Sequence, residues 1–154
     1  MPAPVTVTIR RASPADAAAI ATLAAGYWEF ESLAEFDAAR AEALLRPALE
    51  DPTRALCWLA EADSTPVGYL LAVLVFSLEH GGTIAEIDEF FVVARHRGSG
   101  VGASLLAAAE TALRRVGARR LQLQLGVDNV RGRLFYERAG FAGRRDFELW
   151  DKPL

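Results

Sequence analysis

The chain is poor in the residues that build disulfide frameworks and metal centres. One cysteine, Cys57, and two histidines, His80 and His96, stand among 154 residues. A single cysteine cannot close an internal disulfide. In the apolar run Ala55-Leu56-Cys57-Trp58-Leu59-Ala60 it reads as a buried, inert thiol. The histidines lie far apart, neither with ligand-like spacing to a cysteine or carboxylate pair, so no metal is expected. No apolar run approaches the roughly 20 residues that span a bilayer. The first residues, Met1 to Arg11, lack the positive start and long apolar middle of a secretory leader. Repeats, low-complexity tracts and linkers are missing too. These absences predict a soluble, cytoplasmic protein with no membrane partner.

Apolar residues are plentiful. Hydrophobic residues make up 52% of the chain, enough at this length for one domain over 1–154 with a full core. Charge is unevenly spread. Residues 1–77 hold five arginines against ten acids, whereas residues 78–154 hold eleven arginines and Lys152 against ten. The net charge of −3 argues against a nucleic-acid partner that needs a broad basic face. The split suits an anion on the C-terminal half and a cation nearer the N-terminal half.

The patterning predicts alternating strands and helices. Val5–Arg10 reads as a first strand. Ser13-Pro14-Ala15-Asp16 starts a helix that runs to about Tyr27–Phe30. A second helical stretch covers roughly Ala34–Glu50, broken or kinked near Pro47, and ends at Asp51-Pro52. Arg54–Ala62 and Val67–Phe76 form a hairpin across Asp63-Ser64-Thr65-Pro66, and Ile84–Val93 follows the turn at His80-Gly81-Gly82. Gly100–Val116 places Val101, Leu105, Leu106, Ala109 and Leu113 on one helical face. Arg119–Gly126 alternates as a strand, Asn129–Ala139 is a short helix, and Phe141–Trp150 is a final strand or hairpin. Strand–helix–strand units mixed with a hairpin predict an α/β (α+β) fold with a mixed sheet.

The most specific stretch runs from Glu86 to Ala103. A strand with three carboxylates, Glu86, Asp88 and Glu89, enters a basic turn and then three alternating glycines that open a helix. Glycines let the backbone approach an anion, and a helix N-terminus supplies unpaired donors and a positive dipole end. This order suits a pyrophosphate held beside ionisable groups, and so an enzyme with a nucleotide-type cofactor. Along a regular strand Glu86 and Asp88 share one face and Glu89 takes the other, unless a bulge reorients them. Gly98-x-Gly100-x-x-Ala103 also fits the dinucleotide pattern of an NAD(P) oxidoreductase. Against that reading, the glycines follow a late strand, and Gln122 stands where the ribose acid is expected.

Arg97-x-x-Gly100-x-Gly102 after a strand ending in Phe-Phe-Val resembles the acetyl-CoA-binding signature of the GNAT superfamily of N-acetyltransferases. Asn129, Leu134-Phe135-Tyr136 and Gly140-Phe141 agree with its second motif in order and spacing. The strand run around Asp88-Glu89 is similar to the polyamine/diamine acetyltransferase branch, with the order of the two acids reversed.

The resemblance implies a sheet of six to seven strands, mostly antiparallel and splayed at its centre, with about four flanking helices. It implies acetyl-CoA in the splay, with backbone N–H groups of Arg97, Gly98, Ser99, Gly100, Val101, Gly102 and Ala103 on the pyrophosphate. The backbone of Phe90, Phe91 and Val92 would pair with the pantetheine arm, and Asn129 would bond it. One strand N–H would polarise the thioester carbonyl. By the same resemblance Tyr136 is the general acid for the departing thiolate, and Asp88, then Glu89, is the base. Tyr27, Trp28, Glu29 and Glu31 end the first helix, where the family builds its acceptor pocket, and suit a small-molecule primary amine. A homodimer is the family's default. A non-catalytic acyl-CoA-binding sensor is the alternative.

Overall fold

The apolar runs between residues 55 and 92 are too continuous for a sheet wetted on one face, and they form the three central strands of one covered on both. The computed structural model describes residues 6–154, so Val5 of the expected first strand lies outside the described residues. The strands are β1 (Val7–Arg11), β2 (Ala55–Ala62), β3 (Thr65–Ser77), β4 (Gly82–Val92) and β5 (Leu121–Leu123), in the spatial order β1-β2-β3-β4-β5. The first three pairings are antiparallel and β4–β5 is parallel. The helices are α1 (Ala17–Phe30), α2 (Ala38–Glu50), α3 (Val101–Arg115) and α4 (Val130–Arg138). A parallel pair needs a crossover, and α3 supplies it between β4 and β5.

Two compact units result, one ending at Leu123 and the other comprising Gln124–Leu154. In the first unit, α1 and α2 pack one face of the sheet around Ile20, Leu23, Ala24, Leu49, Cys57, Leu59, Tyr69 and Leu71. α3 packs against β1 to β4 through Val101, Leu105, Leu106, Ala109 and Leu113, the face expected from its spacing. Ser13 N–H donates to Asp16 Oδ2 at 2.7 Å, and Arg10 grips the same carboxylate, fixing the entry to α1. No helix among the described residues is long and apolar enough to cross a membrane.

Local chemistry explains the departures from expectation. Asp63 and Ser64 both take positive φ, 47° and 66°, so the hairpin turns on two residues and β3 begins at Thr65. Ser32 and Glu35 are also left-handed, which delays α2 until Asp37 accepts from the Arg40 N–H at 3.0 Å. The helix then runs through Pro47 to Glu50.

The sheet has five strands rather than six or seven. A strand exists only within a ladder, and none of the described ladders takes up residues 141–150. Phe147, Leu149 and Trp150 there are 59%, 70% and 85% exposed. β5 is also shorter than Arg119–Gly126. Its ladder with β4 stops at Ile87↔Leu123, while β4 continues to Val92. The two strands part there, at an irregularity in β4.

Candidate active site

That irregularity sorts the three carboxylates. Leu71 pairs with Glu89 and Ala72 with Ile87, so Asp88 is an extra residue with no partner on β3. Such a bulge bends the strand and re-aims side chains. It also resets the alternation. Glu86, opposite Val73, and Glu89, opposite Leu71, share the sheet face that carries α1, which corrects the parity of a regular strand.

Each carboxylate then meets different chemistry. Glu89 is half-buried. Tyr69 Oη donates to its Oε2 at 2.6 Å, and Trp28 Nε1 donates to its Oε1 at 3.1 Å. Glu86 accepts from Gln122 Nε2 at 2.9 Å, a link to β5. Asp88 is exposed, and among the described residues no hydrogen bond holds its carboxylate. The protein around it nonetheless costs its carboxylate hydration and raises the carboxyl above its usual range, with the charge of Glu86 adding to the shift. A carboxylate so raised is the better proton acceptor.

Helix α1 brings its aromatic end to these acids. A Cβ on Gly26 would stand 3.0 Å from Phe91 Cζ, so glycine allows the last turns of α1 to close on β4. Tyr27 meets Phe91 edge-on at 6.5 Å, and Trp28 meets Phe36 at 5.3 Å. The Tyr27 phenol is pushed up to about 12, first by burial and then by Glu31, Glu89 and Asp88. Three carboxylates therefore act on one phenol. Glu29 and Glu31 themselves are exposed.

After β4 the chain turns through Ala94–His96 into the glycines. Gly98 and Gly100 have φ of 77° and 89°, and open space surrounds the position of a Cβ on each. Backbone conformation rather than crowding is what requires glycine there. The first i→i−4 bond of α3 is Ser104 N–H to Gly100 O at 3.0 Å, so the N–H groups of Val101, Gly102 and Ala103 precede the helical ladder. The Arg97 N–H is taken by Ala94 O at 3.1 Å, which limits the candidate anion donors to Gly98–Ala103. Ser99 Oγ donates to His96 O at 2.7 Å. The Arg97 side chain braces the turn: Nε donates to Val92 O at 2.7 Å, and the guanidinium lies 4.5 Å from the Phe30 ring and 5.2 Å from that of Phe91.

The first unit thus gathers Tyr27, Trp28, Asp88, Glu89, Phe91 and Arg97, with the glycine turn next in the chain. Phe90 to Val92 extend β4 past its last pair with β5. In the second unit, Asn129 caps α4, its Oδ1 accepting from the Gly132 N–H at 2.8 Å. Tyr136 lies on α4 with its ring edge-on to Phe135 at 5.2 Å and Phe141 at 5.4 Å. Cys57 is fully buried, and burial pushes its thiol up to about 12, which keeps it unreactive.

Sequence reasoning missed Tyr69 and the stacking role of Phe30. Tyr69 carried a usable signal. A phenol inside Val67-Gly68-Tyr69-Leu70-Leu71 enters the core with its hydroxyl and must find a partner there.

Comparison with known proteins places this arrangement. Residues 18–141, which span both units, match the Acetyltransferase (GNAT) family. The chain is 32% identical over 150 residues to aminoglycoside N(6')-acetyltransferase type 1 of Stenotrophomonas maltophilia, covering 96% of this chain and 94% of that protein. Over 83 residues it is 34% identical to the aminoalkylphosphonate N-acetyltransferase of Salmonella typhimurium, 54% of each chain. Its fold is shared with the aminoglycoside N-acetyltransferase AAC(6')-Iy, solved in complex with CoA, at a TM-score of 0.84 and 17% identity, covering 100% of this chain and 99% of that one. The carboxylate-bearing strand, the glycine turn and the extent of these matches lead to one conclusion: the chain belongs to the GNAT family of N-acetyltransferases.

Proposed function

We propose that the chain transfers an acetyl group from acetyl-CoA directly to a primary amine on a small cationic acceptor. One observation carries this reading. A turn with a run of backbone donors directly follows a strand whose carboxylates meet the aromatic end of α1. The N–H groups of Gly98–Ala103 receive the pyrophosphate, as glycine turns at helix N-termini do. The backbone of Phe90, Phe91 and Val92 aligns the pantetheine arm, and the Asn129 amide bonds it.

Tyr27 and Trp28 offer ring faces to an ammonium group, and Glu29 and Glu31 add charge. Asp88, directly or through a water, removes a proton from that ammonium. The free amine attacks the thioester carbonyl carbon, whose oxygen a β4 N–H polarises. As the carbon–sulfur bond breaks, the Tyr136 hydroxyl protonates the thiolate, and the nitrogen, positively charged after its attack, gives its second proton to water, which reprotonates the phenolate.

The Stenotrophomonas maltophilia relative makes an aminoglycoside the first acceptor to test, ahead of polyamines, diamines and amino acids. The family assignment sets aside the NAD(P) oxidoreductase reading. Free-thiol release, followed with an amine panel and acetyl-, propionyl- and succinyl-CoA, is the test. Acceptor-dependent release with acetyl-CoA is expected. Saturable acetyl-CoA binding without such release would instead make the domain a binding module.

A further inference from the structure

Glu89 and Asp88 are neighbours in sequence, yet the fold treats them in opposite ways. Glu89 is gripped from two elements. From the sheet, Tyr69 is 0% exposed and aims its hydroxyl at Oε2 across 2.6 Å; from the helix, the Trp28 indole reaches Oε1 at 3.1 Å. A carboxylate offers about four lone-pair sites, and these two donors leave each oxygen one for a ligand. The second donor belongs to α1, beside Tyr27 and within reach of the field of Glu31. A fixed carboxylate at the foot of an aromatic, acidic helix end suits a bound ammonium group.

We infer that Tyr69 is a positioning residue that fixes Glu89 as the anchor for the acceptor's ammonium group, leaving proton removal to Asp88. This rests on the acetyltransferase reading above. A phenol at this distance makes a charge-assisted hydrogen bond, which is short and directional. It sets the carboxylate plane from inside the core, where solvent cannot compete. Losing the hydroxyl but not the ring frees Glu89 to swing while the packing around β3 is kept.

The test compares wild type with Tyr69→Phe, Glu89→Gln and the Tyr69→Phe/Glu89→Gln double variant. The acceptor is the amine that gives the most thiol release in the panel. In Tyr69→Phe the amine KM should rise about tenfold, the scale of one hydrogen bond to a charged group. Its kcat, acetyl-CoA Kd and the pH at which kcat falls off on the acid side should stay at wild-type values. The double variant should be no worse than Glu89→Gln, because Tyr69 acts through Glu89. An unchanged amine KM in Tyr69→Phe overturns the inference, as does full additivity in the double variant or loss of the acid limb in Glu89→Gln. Should Tyr69→Phe fail to fold by thermal melting, Glu89→Gln decides: its amine KM should rise, and a wild-type value overturns the inference. Wild type that turns over no amine overturns the acetyltransferase reading and this inference with it.

Discussion

In the unit that ends at Leu123, Leu59, Tyr69, Leu70 and Leu105 are sealed from water, and both faces of the sheet are covered. In Gln124–Leu154 no residue is buried, and Val127, Leu149 and Trp150 are 82%, 70% and 85% exposed. The first unit is held by apolar burial. The second unit has a capped helix, an aromatic trio of Phe135, Tyr136 and Phe141, and exposed local pairs such as Arg144 with Asp146 and Trp150 with Glu148. Yet the second unit carries the proposed proton donor. Stability and the proton-donor step should therefore separate along this division, and substitutions can test that.

Tyr136→Phe is expected to have the largest effect, a fall in kcat on the order of 10²-fold or more, the range for a lost general acid. The thermal midpoint should barely move, and unchanged kcat across pH removes the acid role. Leu59→Ala works the other way. It should cost about 2–5 kcal/mol in urea unfolding, as large cavities in cores do.

Gly100→Ala places a side chain at φ of 89°. It should cost about 1–2 kcal/mol and weaken acetyl-CoA binding in calorimetry. Acid unfolding gives a milder contrast. The hydrogen bonds from Arg10 hold the Asp16 carboxyl at about 2, below the ordinary 3.8. That stabilisation is present above the higher value and is lost as pH falls through the lower one. Urea titrations between about pH 5 and pH 2 should show Arg10→Ala lacking this loss. Leu149→Ala should stay within about 0.5 kcal/mol of wild type. A cost as large as that of Leu59→Ala would erase the difference between the units.

The same division governs what could be read beforehand. Every residue assigned to the buried face of α3 is buried there, because one uninterrupted 3.6-residue period carries the signal. The glycine turn was legible for a similar reason, since the need for positive φ at Gly98 and Gly100 is local. Phe141–Trp150 shows the limit. Its alternation is a strand pattern, but a strand also needs a neighbour, and one chain's pattern does not disclose whether one is offered. The pairing of Tyr69 with Glu89 depends on antiparallel register between β3 and β4, which no single segment encodes. Nor does any residue type announce the bulge, since nothing in Ile87-Asp88-Glu89 breaks a strand.

That bulge has one more consequence. Removing a residue from a regular strand inverts every side chain beyond the cut. Removing Asp88 would do the reverse: Ile87 and Glu89 would become neighbours opposite Ala72 and Leu71, the partners they already have. The sheet would close over the gap as an unbroken ladder. The residue proposed to take the proton is surplus to the architecture, a passenger inserted into a strand that is complete without it.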